Sequence, residues 1–178
     1  MSTASEERIS LPSGLAHGQI PCDWSRDGRY ILYEEGGDAT GSDLWVLPMT
    51  GSTGGPRKPV PFLQTAFNEM LGQFSPDGRW VAYISDESGR NEVYVRSFPA
   101  GSGKFQISNN GGTQPRWRDD GKEIYYLAPD GKLMAATVKF TAETFEKETL
   151  KVLFEAHWLA TFRCEMRSFS QGMVGTAR

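Results

Sequence analysis

Three aspartates, Asp27, Asp77 and Asp120, each stand directly before a glycine, Gly28, Gly78 and Gly121, in short polar stretches between apolar runs. Carboxylates repeated at the corners of a sheet could gather calcium, an ion that takes only oxygen ligands. Asp-Gly is also what a tight hairpin turn asks for, because the glycine supplies a positive φ and the aspartate hydrogen-bonds nearby backbone. The turn accounts for the pattern without an ion, so the sequence predicts structural roles. The acidic stretch Ser85-Asp86-Glu87-Ser88-Gly89 lacks the alternating ligand spacing of a calcium loop.

Other chemistry finds less support. Gly101-Ser102-Gly103-Lys104 resembles the end of a phosphate loop, but the glycine required four residues before the Gly-Lys pair is absent and Phe105 replaces the metal-binding hydroxyl. Nucleophilic catalysis needs a serine or cysteine beside a histidine base and an orienting acid. There is no Gly-x-Ser-x-Gly elbow, and the two histidines, His17 and His157, sit in no supporting motif. Cys22 and Cys164 have no second cysteine or histidine at zinc-ligand spacing, so no metal or other cofactor is expected. Arg116 and Arg118 flank Trp117 and should project from the strand face opposite it, as candidate contacts for an anion or acidic partner. Trp24, Trp45, Trp80, Tyr94 and Trp117 could stack on sugars or bases, but their recurrence at equivalent strand positions favours a buried core.

The elements that carry these residues are short. Within 178 residues, 38% hydrophobic and 12% aromatic content suffices for a core, while 20 Gly and 10 Pro call for many turns, as in an all-β protein. A net charge of -3 with interspersed signs leaves no footprint for nucleic acid. No apolar run is long enough to insert in a membrane, and the start, MSTASEERIS, is polar and acidic where a signal peptide would be basic and then apolar.

Read in order, the chain repeats one plan. Trp24, Phe74 and Trp117 each stand three residues before the turn aspartate, and Tyr33, Tyr83 and Tyr126 each stand five after the turn glycine. Lys58, Lys104 and Lys151 are expected to open the last strand of each unit. From Asp27 to Asp77 to Asp120 the spacing is 50 and then 43 residues, the length of a four-stranded propeller blade. Trp80 to Ile84 carries apolar residues on both alternating faces, as a sheet stacked between two neighbours requires. The expected architecture is all-β: a partial β-propeller of about three four-stranded antiparallel blades over residues 1–158, with units at about 19–65, 68–110 and 112–156.

Finer expectations follow from local composition. Arg8 to Leu11 reads as a leading strand, Glu34 to Ser42 as an acidic glycine loop, and Lys58 to Leu63 as an edge strand because two prolines forbid central pairing. Lys104 to Ser108 reads as a strand. Residues 141–151 read as a helical turn or a long loop, and 159–178 as a poorly ordered tail.

The units WSRDGRYILY, FSPDGRWVAY and WRDDGKEIYY, with SDLWVLPM and NEVYVRSFP after the first two, resemble WD-repeat-like blades of the TolB type. The run from Val93 to Val138 is similar, more narrowly, to the C-terminal propellers of bacterial membrane-anchored serine/threonine protein kinases. That resemblance implies a non-catalytic scaffold for protein interaction or sensing of a small ligand, and a periplasmic or extracytoplasmic parent protein. Three units fall short of a closed ring, so the chain is expected to be a fragment that self-associates through open blade faces. The competing expectation is the propeller portion of a prolyl oligopeptidase-like serine hydrolase without its catalytic domain.

Overall fold

Each turn of the repeat is closed by backbone hydrogen bonds between residues three to five apart. In the second unit the Gly78 amide donates to the Ser75 carbonyl at 2.9 Å and the Ser75 amide to the Trp80 carbonyl at 2.8 Å, closing a tight loop between two strands. Gly28, Gly78 and Gly121 adopt φ of 72°, 68° and 72°, the left-handed region that costs a glycine nothing.

A computed structural model of the protein describes residues 18–37, 41–49, 57–99, 103–140 and 145–155. The expected strand Arg8 to Leu11, His17, His157, Cys164 and the tail 159–178 lie outside the described residues.

Among the described residues twelve strands form three four-stranded antiparallel sheets, each in simple sequential order. The first contains β1 (Gln19–Trp24), β2 (Tyr30–Gly37), β3 (Gly41–Pro48) and β4 (Val60–Leu63). The second contains β5 (Glu69–Phe74), β6 (Trp80–Ser85), β7 (Glu92–Ser97) and β8 (Lys104–Gln106), and the third β9 (Thr113–Trp117), β10 (Glu123–Leu127), β11 (Lys132–Phe140) and β12 (Phe145–Glu155). β5 packs along β1, and β9 along β5, so the first strand of each sheet lies inward and the last forms the outer edge. This is the blade arrangement of a β-propeller, and the chain is an all-β partial propeller.

Two apolar layers hold the sheets together. Between sheets one and two lie Leu32, Leu44, Val46, Phe74, Val81 and Tyr83. Between sheets two and three lie Trp80, Ala82, Val95, Ile107, Ile124 and Tyr126. Alternation decides which residue meets which neighbour: in β6, Trp80, Ala82 and Ile84 face sheet three while Val81 and Tyr83 face sheet one. All six residues of β6 are therefore buried, whereas in the last sheet β10 alternates buried and half-buried.

The structure corrects four local expectations. Glu34 to Ser42 is not all loop, because β2 runs to Gly37 and β3 starts at Gly41, with Glu34 and Glu35 buried and hydrogen-bonded. Residues 145–151 belong to β12, a strand whose polar composition reflects its exposed outer edge and which is anchored by buried Phe145. Lys104 opens β8, but β8 ends at Gln106, Lys58 precedes β4 and Lys151 lies inside β12. The lysine column therefore does not mark strand starts.

The fourth correction is Trp24, which is 55% exposed while Phe74 is 6% exposed at the equivalent position. The residue at this column packs on the preceding sheet, as the Trp117 Nε1–H shows by donating to the Gln73 carbonyl at 3.1 Å. Among the described residues no sheet precedes Trp24.

Candidate functional site

The repeated aspartates are turn-forming groups. Asp27 accepts from the Ser25 hydroxyl at 2.7 Å, the Arg29 amide at 3.0 Å and the Arg29 Nε at 2.6 Å. Asp77 repeats the arrangement with Ser75 at 2.6 Å and with Arg79 at 3.1 and 2.8 Å. In the third unit Arg118 stands where the serine would be; Asp120 accepts from the Lys122 amide at 3.0 Å and faces the Arg118 guanidinium at 3.4 Å. The Arg29 amide, then Ser25 and the Arg29 side chain, hold the Asp27 carboxyl down at about 2. Burial works against Asp77, but hydrogen bonds from Ser75 and Arg79 outweigh it and keep its carboxyl below the ordinary range.

These turns share one end of the sheets. Arg26 of the first turn reaches Asp119 of the third, tying the outer two units together across the second. A groove of about 540 Å³ opens there between sheets two and three, lined by Pro76, Asp77, Asp120, Lys122, Lys139 and Glu148. Lys139 pairs with Glu148 across its floor.

Of the two candidate contact arginines, the structure treats each differently. Arg118 is tied to Asp120 and to Glu123, the latter at 3.1 Å. Arg116 projects exposed from inner strand β9 and donates to the adjacent Pro115 carbonyl at 2.9 Å. Among the described residues no carboxylate pairs with it.

The opposite end holds a set of buried carboxylates that sequence reasoning missed: Glu34, Glu35, Asp43, Glu69 and Glu92. Glu34 accepts from the Leu71 amide at 2.6 Å, across the interface from sheet one to sheet two, and from the Cys22 thiol at 3.3 Å. Leu71 has φ of 54°, at a bulge where β5 slips against β6, so this carboxylate satisfies an amide that the ladder cannot. Glu92 accepts from the Gly111 amide at 2.8 Å and from the Ser108 hydroxyl, fixing the link into sheet three. Asn68 joins two hairpins, its amide groups meeting Asp86 and its Oδ1 accepting from the Ser42 amide at 3.1 Å.

Burial, with help from Glu34, pushes the Cys22 thiol up to about 12, so it is an inert neutral group rather than a nucleophile. Burial likewise raises the Glu69 carboxyl, with Asp43 adding repulsion. Among the described residues no group of three or more His, Cys, Asp or Glu side chains could hold a metal ion. No helix of the described residues is long and apolar enough to cross a membrane.

No family model and no curated protein matches the chain. Solved structures do. A protein assigned as TolB from Agrobacterium tumefaciens is 16% identical with a TM-score of 0.56, over 79% of this chain and 52% of that one. TolB from Acinetobacter baumannii is 17% identical with a TM-score of 0.52, over 83% of this chain and 36% of that one. A protein assigned as a 6-phosphogluconolactonase from Bacteroides uniformis is 18% identical with a TM-score of 0.52, over 78% of this chain and 42% of that one. The chain thus has the fold of a partial TolB-like β-propeller and spans about half the length, or less, of these structures. These likenesses carry nothing on the kinase-associated resemblance.

Proposed function

We propose that the chain is a non-catalytic β-propeller module for protein–protein interaction, and that Arg116 contacts an acidic segment of the partner. The supporting observation is that the recurring polar groups are engaged by the fold itself, while Arg116 donates to the Pro115 carbonyl and meets no carboxylate among the described residues. The turn aspartates hold their own turns, the buried glutamates accept backbone amides, and Arg118 is held by Asp120 and Glu123. Arg116 presents a planar guanidinium near the centre of the stacked sheets, a group suited to bidentate capture of a carboxylate. A small carboxylate ligand would be sensed at the same place.

The module would then work in an extracytoplasmic compartment, as a TolB-like propeller. Neither the hydrolase alternative nor a lactonase activity is favoured by any side-chain arrangement described above.

Calorimetric titration with a glutamate-rich peptide, against a neutral peptide of equal length, tests the reading. Arg116→Ala should weaken binding about tenfold, the loss of one charge-assisted pair. Arg118→Ala should leave affinity unchanged and lower Tm instead. Equal affinity in wild type and Arg116→Ala would sink the arginine contact. Hydrolysis of 6-phosphogluconolactone or of a peptide in proportion to protein added would sink the non-catalytic reading.

A further inference from the structure

The two outer sheets each leave one face without a neighbour among the described residues, and the two faces correspond to the two sides of the internal interfaces. In β10, Ile124 and Tyr126 are buried against sheet two, so Glu123, Tyr125 and Leu127 point the other way and are half-buried. Strand pairing sets Tyr33 against Trp45, Tyr83 against Tyr94 and Tyr126 against Met134, which aligns the three sheets residue by residue. On that alignment Tyr125 and Leu133 of the third sheet occupy the places of Leu32 and Leu44 in the first. Those two leucines are fully buried against the second sheet, closely enough that a Cβ on Gly72 would meet Leu32 Cδ2 at 2.5 Å.

The first sheet presents the complementary side. Trp24 occupies the place of Phe74 and Trp117 and is 55% exposed. Beside it is an apolar hollow of about 330 Å³ lined by Pro21, Cys22, Trp24, Ile31, Tyr33 and Leu47. Cys22 is the counterpart of Gly72 in the alignment, but its thiol turns to Glu34 and packs on the layer between sheets one and two, which leaves the walls of the hollow to Trp24, Ile31, Tyr33 and Leu47. Ile20 beside it is 58% exposed.

We propose that two copies of this chain close head to tail into one ring of six blades, the third sheet of each packing on the first sheet of the other. Continuity with the internal interfaces argues for a second copy, because the outgoing face of sheet three and the incoming face of sheet one already carry the two halves of a blade interface. The closure contact is specific. As Trp117 Nε1–H donates to the Gln73 carbonyl, Trp24 Nε1–H donates to the Arg116 carbonyl of the second copy, while Tyr125 fills the hollow. The two junctions are the same contact related by a twofold axis, so the two copies form a closed, isologous dimer.

Sedimentation equilibrium of the full chain tests the proposal. Wild type should sediment at twice the 19.8 kDa of one chain and no higher. Trp24→Asp and Tyr125→Asp should each sediment as monomers, and an equimolar mixture of the two should regain the dimer, because one of the two junctions is then intact. Trp24→Ala, a truncation at an exposed position, should give the same monomer with an unchanged circular dichroism spectrum. A wild-type monomer across the micromolar range would overturn the proposal, as would assembly that grows past two copies. A dimer that survives Tyr125→Asp, or a mixture that stays monomeric, would overturn it equally.

Discussion

Gly78 occupies a φ of 68°, and nothing lies within 4 Å of where its Cβ would be. The strain of substitution there is purely backbone, so Gly78→Ala should cost about 1–2 kcal/mol and Gly78→Val more, a fall in Tm of several degrees by calorimetry. Its partner in the turn, the aspartate, sets an acid limit. Asp27 is held at about 2 against an ordinary 3.8, so its contribution is present above that ordinary value and is lost as the pH falls through about 2. The difference in Tm between wild type and Asp27→Asn should therefore shrink between pH 4 and pH 2. Glu69 has the opposite sign: burial raises its folded value, so the protonated form is favoured and its contribution disappears as pH rises through that value. Glu69→Gln should raise Tm by ~2–4 °C at pH 8 and have little effect at pH 4, read by thermal melts at the two pH values.

At the level of elements, the tightest place is the approach of β5 to the first sheet at Gly72. Gly72→Ala would press on Leu32 and Leu44, both fully buried, and should cost about 1–3 kcal/mol by urea unfolding. Adding Leu32→Ala should recover part of the loss, so the two changes would be non-additive. The strands that flank such contacts were legible because the aromatic and β-branched runs of β6 and β7 and the Asp-Gly turns state their geometry locally. Arg116 could be placed on a strand face opposite Trp117 from spacing alone, although the lack of a carboxylate partner among the described residues required coordinates. Glu34 and Glu35 were not legible as strand residues. A run of acids and glycines reads as loop, and their burial depends on the Leu71 amide and on Gln19, groups 37 and 16 residues away in sequence. β12 misled for a related reason, since an outer edge strand facing water needs few apolar residues.

For the whole molecule, the graded burial from sheet to sheet sets an order of opening. β6 is buried at all six residues and is flanked by an apolar layer on each side, whereas β1 and β12 carry exposed Ile20, Trp24, Val152 and Phe154. In hydrogen-exchange terms the amides of β6 and β7 can open only with global unfolding, while those of β1 and β12 exchange through local fraying at lower free energy. In the monomeric Trp24→Asp variant, exchange followed by mass spectrometry should show the second sheet as the last to label by about two decades in rate, a gap corresponding to roughly 3 kcal/mol of extra opening cost. Uniform labelling across the three sheets would contradict this. A trypsin or thermolysin cut should on the same grounds appear first in the outer sheets, leaving Phe74 to Pro99 as the most protease-resistant stretch of the chain.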